Sequence, residues 1–341
     1  MTHFARLSLS QSHASPEVAV SQFRPNRRQV LLGLTAAMTA AGMPNLAVRA
    51  QGKEVRIGFQ KGGVSLTVLK AQGDFQKRLE ELGYTVTWTE YPAGPPMLEA
   101  MNAGAVDLGY VGAPPPIFAQ AAGADLVYVL ATVANGETQG VLVPKDSAIQ
   151  APADLKGKKV AVTKGSSANA LLVRALQFGG LEWGDVEPVF LLPADAKAAF
   201  EGGSVDAWSI WDPYYAAEEA SSGARTIATD GSVGAPSRAY YLASRAFATD
   251  NPQVLEILQT SLTESETWSQ ENIDEVAKLI AGETGLPEEV IVTVENRRKV
   301  GVEAITPEIV AEQQQVADLF FDIGLIPEKI DILSATLLPQ S

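Results

Sequence analysis

The stretch Trp208-Ser209-Ile210-Trp211-Asp212-Pro213-Tyr214-Tyr215 concentrates two tryptophans and two tyrosines in a chain that is only 7% aromatic. Its first residues have the pattern of a strand. Asp212-Pro213 predicts a helix start, because Asp is a favoured N-cap and Pro is favoured at the first helical position. Aromatic rings and a carboxylate therefore meet at a strand-to-helix junction, where open α/β sheets bind ligands. Taken alone, the stretch is better explained as a core cluster with a capping aspartate.

Residues 1–50 have the pattern of an export signal. An arginine pair at 27–28 precedes an apolar run over about 30–43, which is too short to span a bilayer. Val48 and Ala50, on either side of Arg49, offer a small-residue cleavage site. The arginine pair predicts the twin-arginine route and hence a periplasmic protein. The alternative is an N-terminal membrane anchor.

The charge of the chain limits its partners. The whole chain carries a formal net charge of −14, and residues 1–50 contribute five arginines and one glutamate, which leaves −18 for the rest. So acidic a surface argues against binding nucleic acid or an anionic membrane through bulk charge.

Histidine and cysteine are missing from the predicted mature protein. Both histidines, His3 and His13, lie in the export signal, and the chain has no cysteine. This excludes His- or Cys-ligated metal sites, cysteine nucleophiles, disulfides and a histidine general base. We therefore expect no metal, no cofactor and no enzyme activity, although carboxylate, lysine or tyrosine chemistry remains open.

The order of elements predicts an α/β protein in two parts. Strands pass into helices at glycine- or proline-marked junctions near residues 61, 112, 165 and 212, two in each part. Helix N-termini carry free N–H groups and a partial positive charge, so four of them around one cleft would suit an oxyanion. One helix is predicted over about 66–82. Beyond 251 the pattern predicts only helices, with the basic cluster 297–299 at a solvated helix end.

Several short motifs resemble those of a known family. They are IGFQKG (57–62), PAGP (92–95), MLEA (97–100), PPIFAQAAGADL (115–126), ADLKG (153–157), KGSS (164–167), PADA (193–196), VDAW (205–208), WDPYY (211–215), QQQ (313–315) and ADLF (317–320). In this order they resemble the periplasmic substrate-binding proteins of ABC importers for aliphatic sulfonates, within the wider taurine and nitrate binder group.

The resemblance implies a type II periplasmic-binding-protein fold. Each of two lobes would be an open mixed sheet with flanking helices, and the ligand cleft would lie between the lobes. Residues 54–138 and 239–341 would form lobe 1, and 139–238 lobe 2. A monomer would capture an aliphatic sulfonate, close over it, and deliver it to an inner-membrane ABC permease for sulfur acquisition.

The resemblance also points to ligand-binding residues at helix starts, with two more near the ligand's tail. The four junctions add Gly112 and Ala113, where a predicted strand ends, and two flanking lysines, Lys61 and Lys164. The two lysines would equally fit solvated side chains beside glycine turns. The predicted set is Gln60, Lys61, Gly62, Gly63, Val64, Gly112, Ala113, Lys164, Ser166, Ser167, Asn169, Trp211 and Asp212. Asp212 is the least suited to a sulfonate, because a carboxylate repels it; it fits better as a cap or as the partner of a cation.

Some positions depart from the family pattern. Gly63 replaces a frequent serine, Ala113 a frequent acidic residue, and Ala168 and Ala170 more polar residues. We therefore expect a less polar pocket and a bulkier or more apolar ligand tail. Three alternatives remain: a binder of another small anion (taurine, nitrate, a sulfate ester, an aromatic sulfonate or a carboxylate), a sensor with the same fold, or a thiamine-pathway enzyme, which the missing histidines disfavour.

Overall fold

Two mixed β-sheets with flanking helices make up the part of the chain that the computed structural model describes, residues 53–60 and 63–339. Residues Ala50–Ser341 belong to one compact unit. The export signal predicted over 1–50, and the predicted site residues Lys61 and Gly62, lie outside the described residues.

The strands, numbered in chain order, are β1 (Lys53–Gln60), β2 (Tyr84–Tyr91), β3 (Leu108–Gly112), β4 (Leu126–Thr132), β5 (Gln139–Val143), β6 (Lys159–Val162), β7 (Glu187–Phe190), β8 (Ala207–Trp211), β9 (Arg225–Thr229), β10 (Ala239–Ser244) and β11 (Val302–Ala304). The helices are α1 (Val64–Gln72), α2 (Asp74–Glu81), α3 (Gly94–Asn102), α4 (Pro114–Ala121), α5 (Ser167–Phe178), α6 (Pro193–Glu201), α7 (Tyr214–Ser222), α8 (Arg245–Asp250), α9 (Pro252–Glu271), α10 (Ile273–Thr284), α11 (Glu288–Arg297) and α12 (Pro307–Asp322).

The first lobe is built on a six-stranded sheet with the order β11-β4-β10-β3-β1-β2. β1 pairs in parallel with β2 and β3, whereas β10 runs antiparallel to β3 and β4. The short strand β11 completes the edge beside β4. Parallel neighbours joined by helices place the carboxyl ends of β1 and β3 at the same edge of the sheet.

The second lobe is built on a five-stranded sheet with the order β7-β6-β8-β5-β9. β6 runs parallel to β7 and β8, whereas β5 runs antiparallel to β8 and β9. All five strands lie within 139–238, the range predicted for lobe 2. The mixed α/β architecture is as predicted, while the bounds chosen for the two lobes stay a prediction.

Two segments connect the sheets and lie side by side. Asn135 follows β4 and Ser237 precedes β10, and each donates its amide to the other's carbonyl at 2.8 Å. A Cβ on Gly136 would lie 2.9 Å from Cα of Gly231, so the two segments approach closely. Asp230 accepts a hydrogen bond from the Ser237 hydroxyl at 2.7 Å, and its burial raises its pKa to about 7. These two paired segments, named the hinge segments here, connect the two sheets.

The helix predicted over 66–82 is wrong as a single element. Gly73 has φ of 77°, a left-handed conformation that ends α1 and precedes α2. Glycine adopts this conformation without steric cost, which permits the chain to turn there. Both helices still bury their apolar residues, such as Leu69 and Phe75, in the core of the first lobe.

The C-terminal part is mostly helical, as predicted, with β11 as an exception. The pattern also missed the short helix α8, which begins after the capping hydroxyl of Ser244. Across residues 53–60 and 63–339, none of the helices has the length and apolar character needed to cross a membrane.

Candidate functional site

A cavity of about 150 Å³ lies between the two lobes. Its lining comes from the ends of strands, the starts of helices, the hinge segments and the end of α11. The lining residues are Gln60, Gly63, Val64, Ser65, Gly94, Tyr110, Gly112, Pro115, Thr132, Val133, Asn135, Thr138, Gln139, Ser166, Ser167, Trp211, Asp212, Ser237, Arg238, Ala239, Glu266, Val294, Arg298, Lys299 and Gly301.

The start of α1 forms one wall of the cavity. Gln60, at the end of β1, donates its side-chain amide to the carbonyl of Tyr110 at 2.9 Å and so holds the two strand ends together. The amide of Gly63 is used internally, because it donates to the Gln60 carbonyl at 2.8 Å. The next amides, at Val64 and Ser65, belong to the first turn of a helix and have no intrahelical acceptor. They are suitable donors for an anion.

The start of α5 forms the facing wall. Ser166 is its N-cap: the hydroxyl oxygen accepts the amide of Asn169 at 3.2 Å and donates to the Thr163 carbonyl at 2.7 Å. Asn169 returns a bond through Oδ1, which accepts the Gly165 amide at 3.1 Å. These bonds fold the loop, whereas Ser167, at the first helical position, keeps its hydroxyl and amide free of that network.

The first lobe approaches the start of α5 most closely at Gly112, the last residue of β3. A Cβ built on this glycine would lie 2.7 Å from Cβ of Ser167, far inside van der Waals contact. Only a residue without a side chain lets the end of β3 approach the start of α5 so closely. Gly112 therefore sets the distance between the lobes at this point.

The helix starts that follow residues 112 and 212 offer fewer free backbone amides than predicted. Pro114, Pro115 and Pro116 occupy the first turn of α4 and have no amide hydrogen. At the start of α7, Asp212 Oδ1 accepts the Ala216 amide at 3.0 Å, which uses one of its free donors. The prediction that four helix starts donate to one cleft is therefore wrong for α4. The cavity has two main groups of donors, at the starts of α1 and α5.

Asp212 is a buried carboxylate with one free oxygen. Its side chain is 5% exposed, and Oδ1 also lies 3.5 Å from Nη1 of Arg297. Oδ2 has no hydrogen-bond partner among the described residues. Burial raises the pKa of Asp212 to about 7, although Arg297 and the Ala216 amide lower it. α7 begins one residue later than predicted, at Tyr214, and the peptide bond Asp212-Pro213 is cis.

Arg298 lies in the wall of the cavity with its charge already compensated. Its guanidinium donates to Glu266 at 2.5 Å and to Glu295 at 2.7 Å. Ser65 donates its hydroxyl to the same Glu266. Burial alone would lower the pKa of Arg298, but the two carboxylates raise it overall. The solvated helix end predicted at 297–299 is wrong for Arg297 and Arg298, whose side chains are only 23% and 14% exposed.

The sequence contained a signal for these arginines. Val290, Ile291 and Val294 are the buried stripe of α11, and Arg297 and Arg298 continue it at spacings of three and four residues. Helical phase therefore places both arginines on the buried face. Their carboxylate partners, mostly distant in sequence, were not predictable from local pattern.

The predicted site residues divide into three groups. Those lining the cavity are Gln60, Gly63, Val64, Gly112, Ser166, Ser167, Trp211 and Asp212. Those described but absent from the lining are Ala113, Lys164 and Asn169. Lys61 and Gly62 lie outside the described residues. Ala113 is buried with its carbonyl accepting from Gln313 at 2.6 Å, and the Lys164 ammonium lies 5.7 Å from the ring centre of Phe190. Contact of any of these residues with a ligand stays a prediction.

Metal ligation has no support in this cleft. Within the part of the chain that the structure describes, no group of three or more His, Cys, Asp or Glu side chains is arranged to hold a metal ion. The arginines of the lining are paired with carboxylates: Arg238 contacts Glu312 at 2.7 Å and also pairs with Glu303. Lys299 also lines the cavity, and none of the ion pairs among the described residues involves it. At the starts of α1 and α5 the cleft offers backbone and hydroxyl donors rather than a cationic side chain.

Comparison with known proteins identifies the relatives of this chain. Residues 49–281 match the model of the NMT1-like family. A protein of Escherichia coli (strain K12) that carries the name of an aliphatic sulfonates-binding protein is 41% identical over 303 residues, which are 89% of this chain and 93% of that protein.

Two solved structures have the same two-lobe fold. The alkanesulfonate-binding protein SsuA from Xanthomonas axonopodis pv. citri, bound to MOPS, matches with a TM-score of 0.80 at 38% identity and covers 84% of this chain and 99% of its own. The periplasmic aliphatic sulphonate binding protein SsuA from Escherichia coli matches with a TM-score of 0.77 at 41% identity and covers 84% and 93%.

These relatives confirm the fold and the resemblance predicted from the sequence. They are named as binding proteins, which agrees with the prediction that the chain is not an enzyme. The chain belongs to the NMT1-like family, and within it to the group of the aliphatic sulfonate-binding proteins.

Proposed function

We propose that this protein captures an aliphatic sulfonate in the cleft between its lobes and delivers it to the membrane permease of an ABC importer. The single observation that carries the proposal is the pair of helix starts, α1 and α5, that line one cavity from opposite lobes. Each supplies amides with no intrahelical acceptor and a partial positive charge. The names of the relatives support the same ligand class.

A sulfonate suits neutral donors particularly well. It stays ionised at every physiological pH, so the site needs no titrating cation to hold it. Charge-assisted hydrogen bonds of about 1.5–3 kcal/mol each, reduced by ordering costs, reach the roughly −8 kcal/mol of micromolar affinity with several donors. The pairing of Arg298 with two carboxylates leaves it as a wall of the pocket rather than the counter-ion of the ligand.

The protein would act in the periplasm as a monomer, after export by the twin-arginine route. The periplasmic location is supported by the relative from Escherichia coli, which is named as periplasmic. The acidic surface is compatible with capture of an anion, because charges beyond about 8–10 Å are screened at physiological salt. Apolar side chains of the lining, Trp211, Val133 and Val294, would contact the apolar tail of the ligand.

Calorimetric titration of the purified protein with a series of sulfonates tests the ligand class. Butane-, pentane- and octanesulfonate should bind with micromolar dissociation constants and more tightly than taurine, because the lining beside the tail is apolar. Hexanoate, the carboxylate control, and nitrate should bind at least about tenfold more weakly than pentanesulfonate. Tighter binding of taurine, nitrate or hexanoate than of the alkanesulfonates contradicts the proposal.

Gly112→Ala tests the contact between the walls. The added methyl would meet Ser167 at 2.7 Å and hold the start of α5 away from β3. Because overpacking typically costs about 1–3 kcal/mol, affinity for pentanesulfonate should fall about tenfold or more. The unfolding temperature of the free protein should change little, since the clash lies between lobes.

The matched control is Gly184→Ala, where a Cβ would meet no heavy atom within 4 Å. It should bind pentanesulfonate as the wild type does. Equal affinity of Gly112→Ala and Gly184→Ala in the same titration shows that the two walls do not hold the ligand together.

The raised pKa of Asp212 leads us to expect an affinity for the ligand that depends on pH. Its pKa of about 7 keeps it neutral below that pH and ionised above it. An ionised carboxylate in the cavity wall repels the bound anion, so affinity for pentanesulfonate should fall about tenfold, or ~1.4 kcal/mol, as pH rises through 7. Asp212→Asn should bind with nearly the same affinity from pH 5.5 to 8.5. A wild-type affinity that does not change over this range rules out a titrating Asp212 beside the sulfonate.

A further inference from the structure

The hairpin of α10 and α11 packs on both lobes. α1 of the first lobe contacts α10, and α7 of the second lobe contacts α11. One buried apolar cluster joins the three parts, with Val64 and Val68 from α1, Ala216 from α7, and residues of both hairpin helices such as Val276 and Val290. The hairpin therefore bridges the two lobes at the side of the cleft.

Arg297 ends α11, and its side-chain contacts with charged and aromatic groups lie in α7 or just before it. Its guanidinium donates to Glu219 at 2.5 Å and lies 3.5 Å from the carboxylate of Asp212. The guanidinium carbon also lies 4.3 Å from the ring centre of Tyr215, a cation–π distance. Ion pairing, a hydrogen bond and stacking thus join this one side chain to the second lobe.

Arg298, the next residue, is held by the first lobe. Glu266 of α9 accepts from it, and α9 packs on α1 and α2. Glu295 of α11 accepts from the same guanidinium, which fixes the end of the helix. Two consecutive arginines therefore connect the end of α11 to opposite lobes, one through a buried cluster in the cavity wall and the other through α7.

We propose that Arg297 is a positioning residue for ligand capture: it joins the α10–α11 hairpin to α7 when the lobes close, and so stabilises the closed state. Because Arg298 anchors α11 to the first lobe, separation of the lobes takes Asp212, Tyr215 and Glu219 away from Arg297. On this proposal the contact is made in the closed arrangement and broken in the open one. It acts on the ligand through the position of Asp212, which lines the cavity.

The strength of this contact sets the apparent affinity. When only a fraction of the protein is in the closed, binding-competent state, the apparent dissociation constant equals the intrinsic one divided by that fraction. Loss of the Arg297 contacts lowers the fraction and weakens binding without removing any group that touches the ligand. The affinity effect rests on the proposed function, whereas the effect on lobe closure does not.

Distance measurement between two spin labels tests the proposal. The chain has no cysteine, so labels attach only at introduced sites. Lys77→Cys on α2 and Gln177→Cys on α5 are exposed positions, one on each lobe. Arg297→Ala should shift the label distances of the ligand-free protein toward the open arrangement. Arg297→Ala should also raise the dissociation rate of pentanesulfonate about tenfold, as for typical coupling between sites. The distances and rate of Arg297→Lys should lie between those of the wild type and Arg297→Ala.

A second variant removes the contact from the other side. Glu219→Gln should shift the distances in the same direction, and Arg297→Ala combined with Glu219→Gln should shift them little further, because both changes remove one interaction. The matched control is Arg78→Ala. It breaks an ion pair of 2.6 Å with Glu264 that joins α2 to α9 within the first lobe, so it should leave distances and dissociation rate unchanged.

Label distances and dissociation rates of Arg297→Ala and Glu219→Gln that match those of Arg78→Ala would overturn the proposal. Failure of pentanesulfonate to bind the wild type would instead reject the proposed ligand. In that case the ligand-free distances still decide whether Arg297 holds the lobes together: a shift toward the open arrangement supports the proposal, and its absence rejects it.

Discussion

Two helix starts facing each other across a cleft are the interaction on which this structure depends. β1 leads into α1 and β6 into α5, and each turn leaves backbone amides at the carboxyl edge of its sheet. The close contact of Gly112 with Ser167 brings the edges together. Because the donors at these helix starts are neutral, they can hold an anion without a cationic side chain of their own.

The charged groups around the cleft serve position more than attraction. Arg298 and Arg238 each form ion pairs with two carboxylates, which compensate their charge within the wall of the cavity. Buried ion pairs gain little net stability over apolar packing, but removal of one partner leaves an uncompensated charge. Such pairs therefore fix geometry: Arg298 holds α11 on the first lobe, while Arg297 reaches the second lobe. The paired hinge segments, joined at Asn135 and Ser237, complete the connection between lobes.

Much of the fold and part of the candidate site follow from local sequence rules. Alternating apolar strands that end in glycine or a helix cap predicted β1 with α1, β6 with α5, and β8 with α7, because each of these signals lies within a few residues. The carboxylate of Asp212 at a helix start was visible for the same reason. Lys164 and Ala113 were included on position alone, and neither lines the cavity.

The missed features depend on contacts between residues far apart in the chain. The break at Gly73 occurs because the chain must turn to pack both α1 and α2 on the sheet, which a continuous helical pattern does not reveal. β11 is short and sits among helices, so its pairing with β4 decides its conformation. Arg297 and Arg298 looked like a solvated cluster because Asp212, Glu219 and Glu266 are remote in sequence. The proline run 114–116 was a readable signal, since proline has no amide to donate.

A crystal structure of the protein with pentanesulfonate tests the central claim most directly. The sulfonate oxygens should lie about 2.7–3.1 Å from amide nitrogens at the starts of both α1 and α5, with the alkyl chain toward Trp211. A sulfonate bound to the guanidinium of Arg298 or Arg238, or held by one lobe alone, would contradict an anion site built from neutral donors of two helix starts.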